Sequence, residues 1–177
     1  MTSLTSSAWR YRVLNLSDLA LPEQVLLYIL RKRIETYAPL THTRSLADLH
    51  EVYLGIFGIA HIEAALAAVD GFTATLHKHT RRALRFHRTK CNPVSMDEWR
   101  LLLLIAAHQA EHDEYAAALT RWLVPAAHAG RLSRHAASLA KTLERKNLFL
   151  PLRVGFTPMP DILAERAYVY PSPRINP

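Results

Sequence analysis

Apolar residues recur at three- and four-residue spacing through most of the chain, the period of helices that bury one face. Val25, Leu26, Ile29, Leu30 and Ile34 form the first such stripe. Pro22 and Glu23 suit its first turn, Arg31, Lys32 and Arg33 suit its last, and Pro39 stops it. Ser45 and Asp48 open a second helical pattern, which Leu46, Leu49, Val52, Tyr53, Ile56, Ile59 and Ile62 carry towards Val69. Gly55 and Gly58 lie inside it, where a helix kinks, splits or admits a close neighbour. Asp70-Gly71 is a turn signal, and the pattern then predicts a third, strongly basic helix from Phe72 to about Phe86.

Asn92-Pro93 breaks the chain again. Ser95-Met96-Asp97-Glu98 is a capping box: the serine bonds an orphan amide and the glutamate reaches back. Trp99, Leu102, Leu103, Ala106 and Ala110 continue as a buried stripe. A bend near His112-Asp113 leads into Tyr115, Leu119, Trp122 and Leu123, and Pro125 and Gly130 close that helix. Leu132, Ala136, Leu139 and Leu143 mark a last one, ending near Lys146. The hairpin at 99–123, above all DEYAAALTRWL, resembles a single tetratricopeptide-type unit. No repetition at that motif's spacing of about 34 residues follows.

The expected fold is all-α: a single compact bundle of five or six helices over residues 1–150, with a Pro-rich C-terminal tail at 151–177. Six of the ten prolines fall in that tail, so it is expected to be irregular, apart from a short helix from Asp161 to Ala167. Phe156, Ile162, Leu163, Tyr168 and Tyr170 give it enough apolar surface to pack on the domain or on a partner.

Composition narrows the function classes. A length of 177 residues suits one domain, and 50% hydrophobic residues argue against general disorder. One cysteine excludes an internal disulfide framework and suits a reducing compartment. With five glycines there is no Gly-rich nucleotide loop of either common spacing. The first residues lack the pattern of a secretory leader, and no apolar run is long enough to span a bilayer. The resulting expectation is a cytoplasmic protein without a membrane partner.

The net charge of +7 is unevenly placed. Residues 71–93 carry six cations and no acid, while the flanking stretches 44–70 and 94–113 each carry four acids and one arginine. Lys78, Arg81, Arg82, Arg85, Arg88 and Lys90 supply the excess. On a helix, the first four of these form one continuous stripe, at the spacing that lets several cations meet one polyanion. Two other fates compete with binding. The stripe is either a solvated face or a counterpart to the acidic helices on both sides of it.

Three smaller constellations carry chemistry. His108-Gln109-Ala110-Glu111-His112 is an H-x-x-E-H string, resembling the motif of the inverted zinc peptidases. On a continuous helix, His108 and His112 lie about one turn apart and reach one zinc, with Glu111 as general base. No third ligand is evident in sequence. Cys91 is preceded by His87, Arg88 and Lys90, surroundings that favour a thiolate and a reactive thiol. His50 and His61 return to one helical face but stand about 16 Å apart along the axis, too far for one metal.

The sequence therefore points to a non-enzymatic regulatory or adaptor protein of the cytosol, engaging an acidic protein or nucleic acid through a basic helix, with no cofactor. One alternative is a nucleic-acid-binding protein using the 78–90 stripe. The other is a metal-binding or metal-dependent hydrolytic bundle, with zinc at His108 and His112.

Overall fold

A computed structural model describes residues 14–37, 42–153 and 168–170, with backbone alone at 42–47 and 168–170. Six helices make up nearly all of it: α1 (Leu21–Glu35), α2 (His42–Phe57), α3 (Ile62–His79), α4 (Met96–Gln109), α5 (Asp113–Leu123) and α6 (Ala126–Glu144). A 3-10 turn at Leu16–Asp18 and two three-residue strands, β1 (Leu84–Phe86) and β2 (Tyr168–Tyr170), complete the described elements. The fold is all-α and compact, as the periodicity predicts.

α4 is the central helix. Trp99 and every residue from Leu101 to Ala107 are buried, so it is apolar on all sides and sits where its neighbours converge. Those neighbours are α1, α5, α6 and β1, while α6 also runs along α3 and α5. α1, α2 and α3 pack against one another on the remaining side. The predicted capping box forms: Glu98 N–H donates to Ser95 Oγ at 3.1 Å, and Ser95 N–H donates to Glu98 Oε2 at 2.8 Å.

Several boundaries differ from the sequence expectation. The second helical pattern splits at Gly58, whose φ of 70° is left-handed and costs glycine little. α2 and α3 then diverge by 120°, so His50 and His61 do not share a continuous helix. α3 runs straight through Asp70-Gly71. That glycine serves packing, since a Cβ there would lie 2.5 Å from Cε1 of His135 on α6. Gly130 likewise lies inside a helix, because α6 begins at Ala126 directly after Pro125.

The predicted basic helix from Phe72 to Phe86 is not formed beyond His79. Thr80 turns extended, and amides that follow find partners on α4 and α5. Arg81 N–H donates to Leu123 O at 3.1 Å, at the end of α5. Arg85 N–H donates to Asp97 Oδ2 at 2.8 Å, and His87 N–H donates to Glu98 Oε1 at 2.9 Å. Arg85 O accepts from Ser95 Oγ at 2.6 Å. The first turn of α4 thus holds one edge of β1, and β2 pairs antiparallel along the other, Arg85 opposite Val169. Tertiary bonds replace the ladder that a helix would have supplied.

After α6, the chain folds back over the helix ends. The Gln109 side chain donates to Leu148 O at 2.9 Å and accepts from Leu150 N–H at 2.7 Å. Arg153 Nη2 stands 2.8 Å from Glu23 Oε2. Burial raises the pKa of Glu23, opposed by the Ala20 amide and Arg153. The start of the tail therefore packs on the bundle. Pro39 and the expected short helix at Asp161–Ala167 lie outside the described residues.

One core hydroxyl is unmatched. Tyr53 is fully buried, and its hydroxyl has no hydrogen-bond partner among the described residues. Burial, with Asp70 nearby, pushes its pKa upward. Tyr53→Phe removes a desolvated polar atom without opening a cavity. It is expected to leave stability unchanged or raise it by about 1 kcal/mol, read from urea denaturation. A clear loss would show that the hydroxyl makes a stabilising bond.

Candidate functional site

The basic segment is divided by the fold into engaged and open cations. Arg81 caps α5: its Nε donates to Arg121 O at 3.1 Å and to Val124 O at 3.2 Å, carbonyls that the helix end leaves free. Arg82 forms a bidentate pair with Asp97, with Nη1 to Oδ2 at 3.0 Å and Nη2 to Oδ1. Its guanidinium also lies over the Trp122 ring, 4.6 Å from the centroid. Arg100 approaches the same ring at 3.9 Å and the same carboxylate at 3.5 Å. Burial depresses the pKa of Arg100, with Asp97 opposing and Arg82 assisting.

Charge pairing within the bundle is therefore real for part of the segment. The partner is α4, the start of the acidic stretch that follows it in sequence. The preceding acidic stretch is paired differently, through Arg33 on α1 and Asp70 on α3.

Lys78, Arg85, Arg88 and Lys90 form the open set. All four are exposed, and none makes an ion pair among the described residues. Lys78 sits in the last turn of α3, Arg85 points outward from β1 between buried Leu84 and Phe86, and Arg88 and Lys90 lie in the turn after β1. They are not a single helical stripe. They are distributed over the last turn of α3, the strand β1 and the turn after it.

That turn is held from beneath by Arg31. This residue is 1% exposed, and its guanidinium donates to Glu98 Oε1 at 2.7 Å, Glu98 Oε2 at 3.0 Å, Cys91 O at 2.7 Å and Pro93 O at 2.7 Å. A longer contact of 3.4 Å reaches Arg88 O. All the donors of the fork are therefore directed at protein acceptors. Thr89 adds a second tether, its amide and hydroxyl both donating to Glu35 Oε1 at 2.7 Å. Arg85, Arg88 and Lys90 thus stand on a backbone tethered to α1 and α4.

The other candidates separate. α4 ends at Gln109, Glu111 is left-handed at φ 54°, and His112 is the N-cap of α5. His108 and His112 consequently do not lie one turn apart on one helix, the spacing that the zinc reading needs. His108 Nε2 lies 3.4 Å from Ser133 Oγ, and burial lowers its pKa against the pull of Asp113. His112 stands edge-on to Tyr115. No group of three His, Cys, Asp or Glu side chains is placed to hold a metal among the described residues. Cys91 is half-buried, with its carbonyl on Arg31, and His87 is buried with its amide on Glu98.

No protein-family model matches this chain, and no curated protein or solved structure is significantly similar to it.

A cleft of about 270 Å³ lies between α1, the end of α2 and the Thr89 turn, lined mainly by Leu16, Leu21, Val25, Tyr28 and Ile56. Its polar members are engaged elsewhere: Gln24 bonds Leu19 O, Thr89 bonds Glu35, and Arg31 bonds Glu98. No single helix among the described residues is long and apolar enough to cross a membrane; α2 and α3 reach that composition only jointly, across their bend.

The sequence identified the cations but not their division. Trp122 was legible only as an apolar position, and its pairing with Arg82 and Arg100 depends on chain segments brought together from α4, α5 and the loop before β1.

Proposed function

We propose that this chain is a non-enzymatic regulatory or adaptor protein of the cytosol that engages an anionic macromolecule through Lys78, Arg85, Arg88 and Lys90. The supporting observation is the division just described. Arg81 and Arg82 answer internal acceptors, whereas these four cations face solvent. Among the described residues, none of the four makes an ion pair. No cofactor takes part in this reading, and the hydrolytic alternative lacks the continuous helix that its His108/His112 spacing requires.

A nucleic-acid partner is the second reading. It is favoured by Trp122, which is 39% exposed and sits beside Arg82 and Arg100. Arg82 and Arg100 lie over that ring, so it supports this reading as part of a cationic surface for phosphates.

The triple variant Arg85→Gln/Arg88→Gln/Lys90→Gln tests both readings. Its melting temperature should match the parent, because exposed unpaired charges contribute little to stability. Binding of a labelled single-stranded oligonucleotide and of an acidic peptide is then compared across salt concentrations. For the oligonucleotide, log K against log salt should flatten by about two if each side chain answers one phosphate. Loss confined to the peptide identifies a protein partner. Unchanged affinity and slope for both ligands would refute the proposal. Arg82→Gln is the contrasting control: it should melt earlier, because Asp97 is buried and loses its bidentate partner.

A further inference from the structure

A second cationic cluster lies where the end of α3 meets the start of α6. The His79 and His128 rings stack 3.6 Å apart and within 12° of parallel. Lys78 precedes His79 on α3, and Arg131 lies about one turn beyond His128 on α6. The first turn of α6 contains no acidic residue, and Pro125 gives it no side-chain cap. The charged groups acting on His79 are thus His128 and Arg131 from α6 and Lys78 beside it, all of one sign.

Stacked imidazoles bring two N–H donors within reach of one small anion. Two permanent cations beside them supply a field that attracts it and leaves the empty cluster self-repelling. We propose that His79, His128, Lys78 and Arg131 together bind a tetrahedral oxyanion, a sulfate or phosphoryl group. Burial first, and then the neighbouring positive groups, lower the pKa of His79, so the empty site disfavours its charged form. A dianion reverses the local field and favours its protonation. Binding therefore draws one proton from solvent onto His79 and strengthens as pH falls.

This site is separate from the one proposed above, sharing only Lys78. Its test leaves Arg85, Arg88 and Lys90 untouched. Sulfate is the probe, because it stays dianionic across the range used and any pH dependence comes from the protein. Sulfate is titrated into the intact chain while the ring C–H signals of His79 and His128 are followed by NMR, from pH 7.5 to 6.0. Saturable shifts of both rings are expected, with affinity rising about tenfold over that range and His79 titrating at higher pH when sulfate is bound. His128→Gln/Arg131→Gln should retain the parent's circular dichroism and lose at least about tenfold in affinity. Absence of saturable shifts at both pH values overturns the proposal, as does binding that neither pH nor the double variant alters. The parent titration decides alone if the variant does not fold.

Discussion

Arg31→Met is expected to lower stability by about 3–5 kcal/mol, the cost of leaving a buried charge without its partner. For a chain of this size, that is a fall in melting temperature of roughly 10 °C. The carboxylate of Glu98, fully buried, would lose its counterion, and the carbonyls of Cys91 and Pro93 would lose their donor. Methionine fills much of the same volume, so cavity formation contributes little. Urea denaturation of the single and double variants separates charge from packing. Arg31→Met/Glu98→Gln should recover part of the loss, because neither side then carries an unpaired charge. A cost below about 1 kcal/mol for the single change would mean that water already reaches the pair.

Gly71→Val is expected to cost about 2–3 kcal/mol through overpacking of the α3–α6 contact. On propensity alone, a residue other than glycine should favour this helical position. The sign is set instead by the His135 ring, which occupies the space a side chain would need. His135→Ala clears that space. The double variant should therefore recover most of the loss, giving a coupling above about 1 kcal/mol in a double-mutant cycle. Additive effects of the two changes would show that the His135 ring does not set the cost of a side chain at position 71.

These two positions also show how far the sequence could be read. The helices at 22–34, 95–109 and 113–123 follow from periodicity, capping residues and prolines, all of which act within a few positions. A split at Gly55 or Gly58 is one of three outcomes the sequence allows, and the left-handed φ selects Gly58. Gly71 carries the opposite meaning, because its role is fixed by a residue on another helix. Asp70-Gly71 has local turn chemistry, and the contact with α6 overrides it.

The basic segment departs from its expected helix for a related cause. Its composition tolerates helix, but the amides of Arg81, Arg85 and His87 are satisfied by α5 and α4. Likewise, Arg31 and Glu98 stand 67 residues apart, and each alone resembles an ordinary surface charge. The capping role of Glu98 was visible in sequence; its second role as counterion to Arg31 was not. The six cations are evident in the sequence, yet only the fold divides those that hold the protein together from those that face outward.

The grip of α4 on β1 has a consequence for assembly. A strand with an unpaired row of amides and carbonyls is a template on which further chains can add. Here Ser95, Asp97 and Glu98 occupy that row with side-chain oxygens, so β1 accepts a strand on one side only. The sheet cannot be continued through it into a fibre. Any extended segment seeking β1 must compete with Tyr168–Tyr170 for the place they hold.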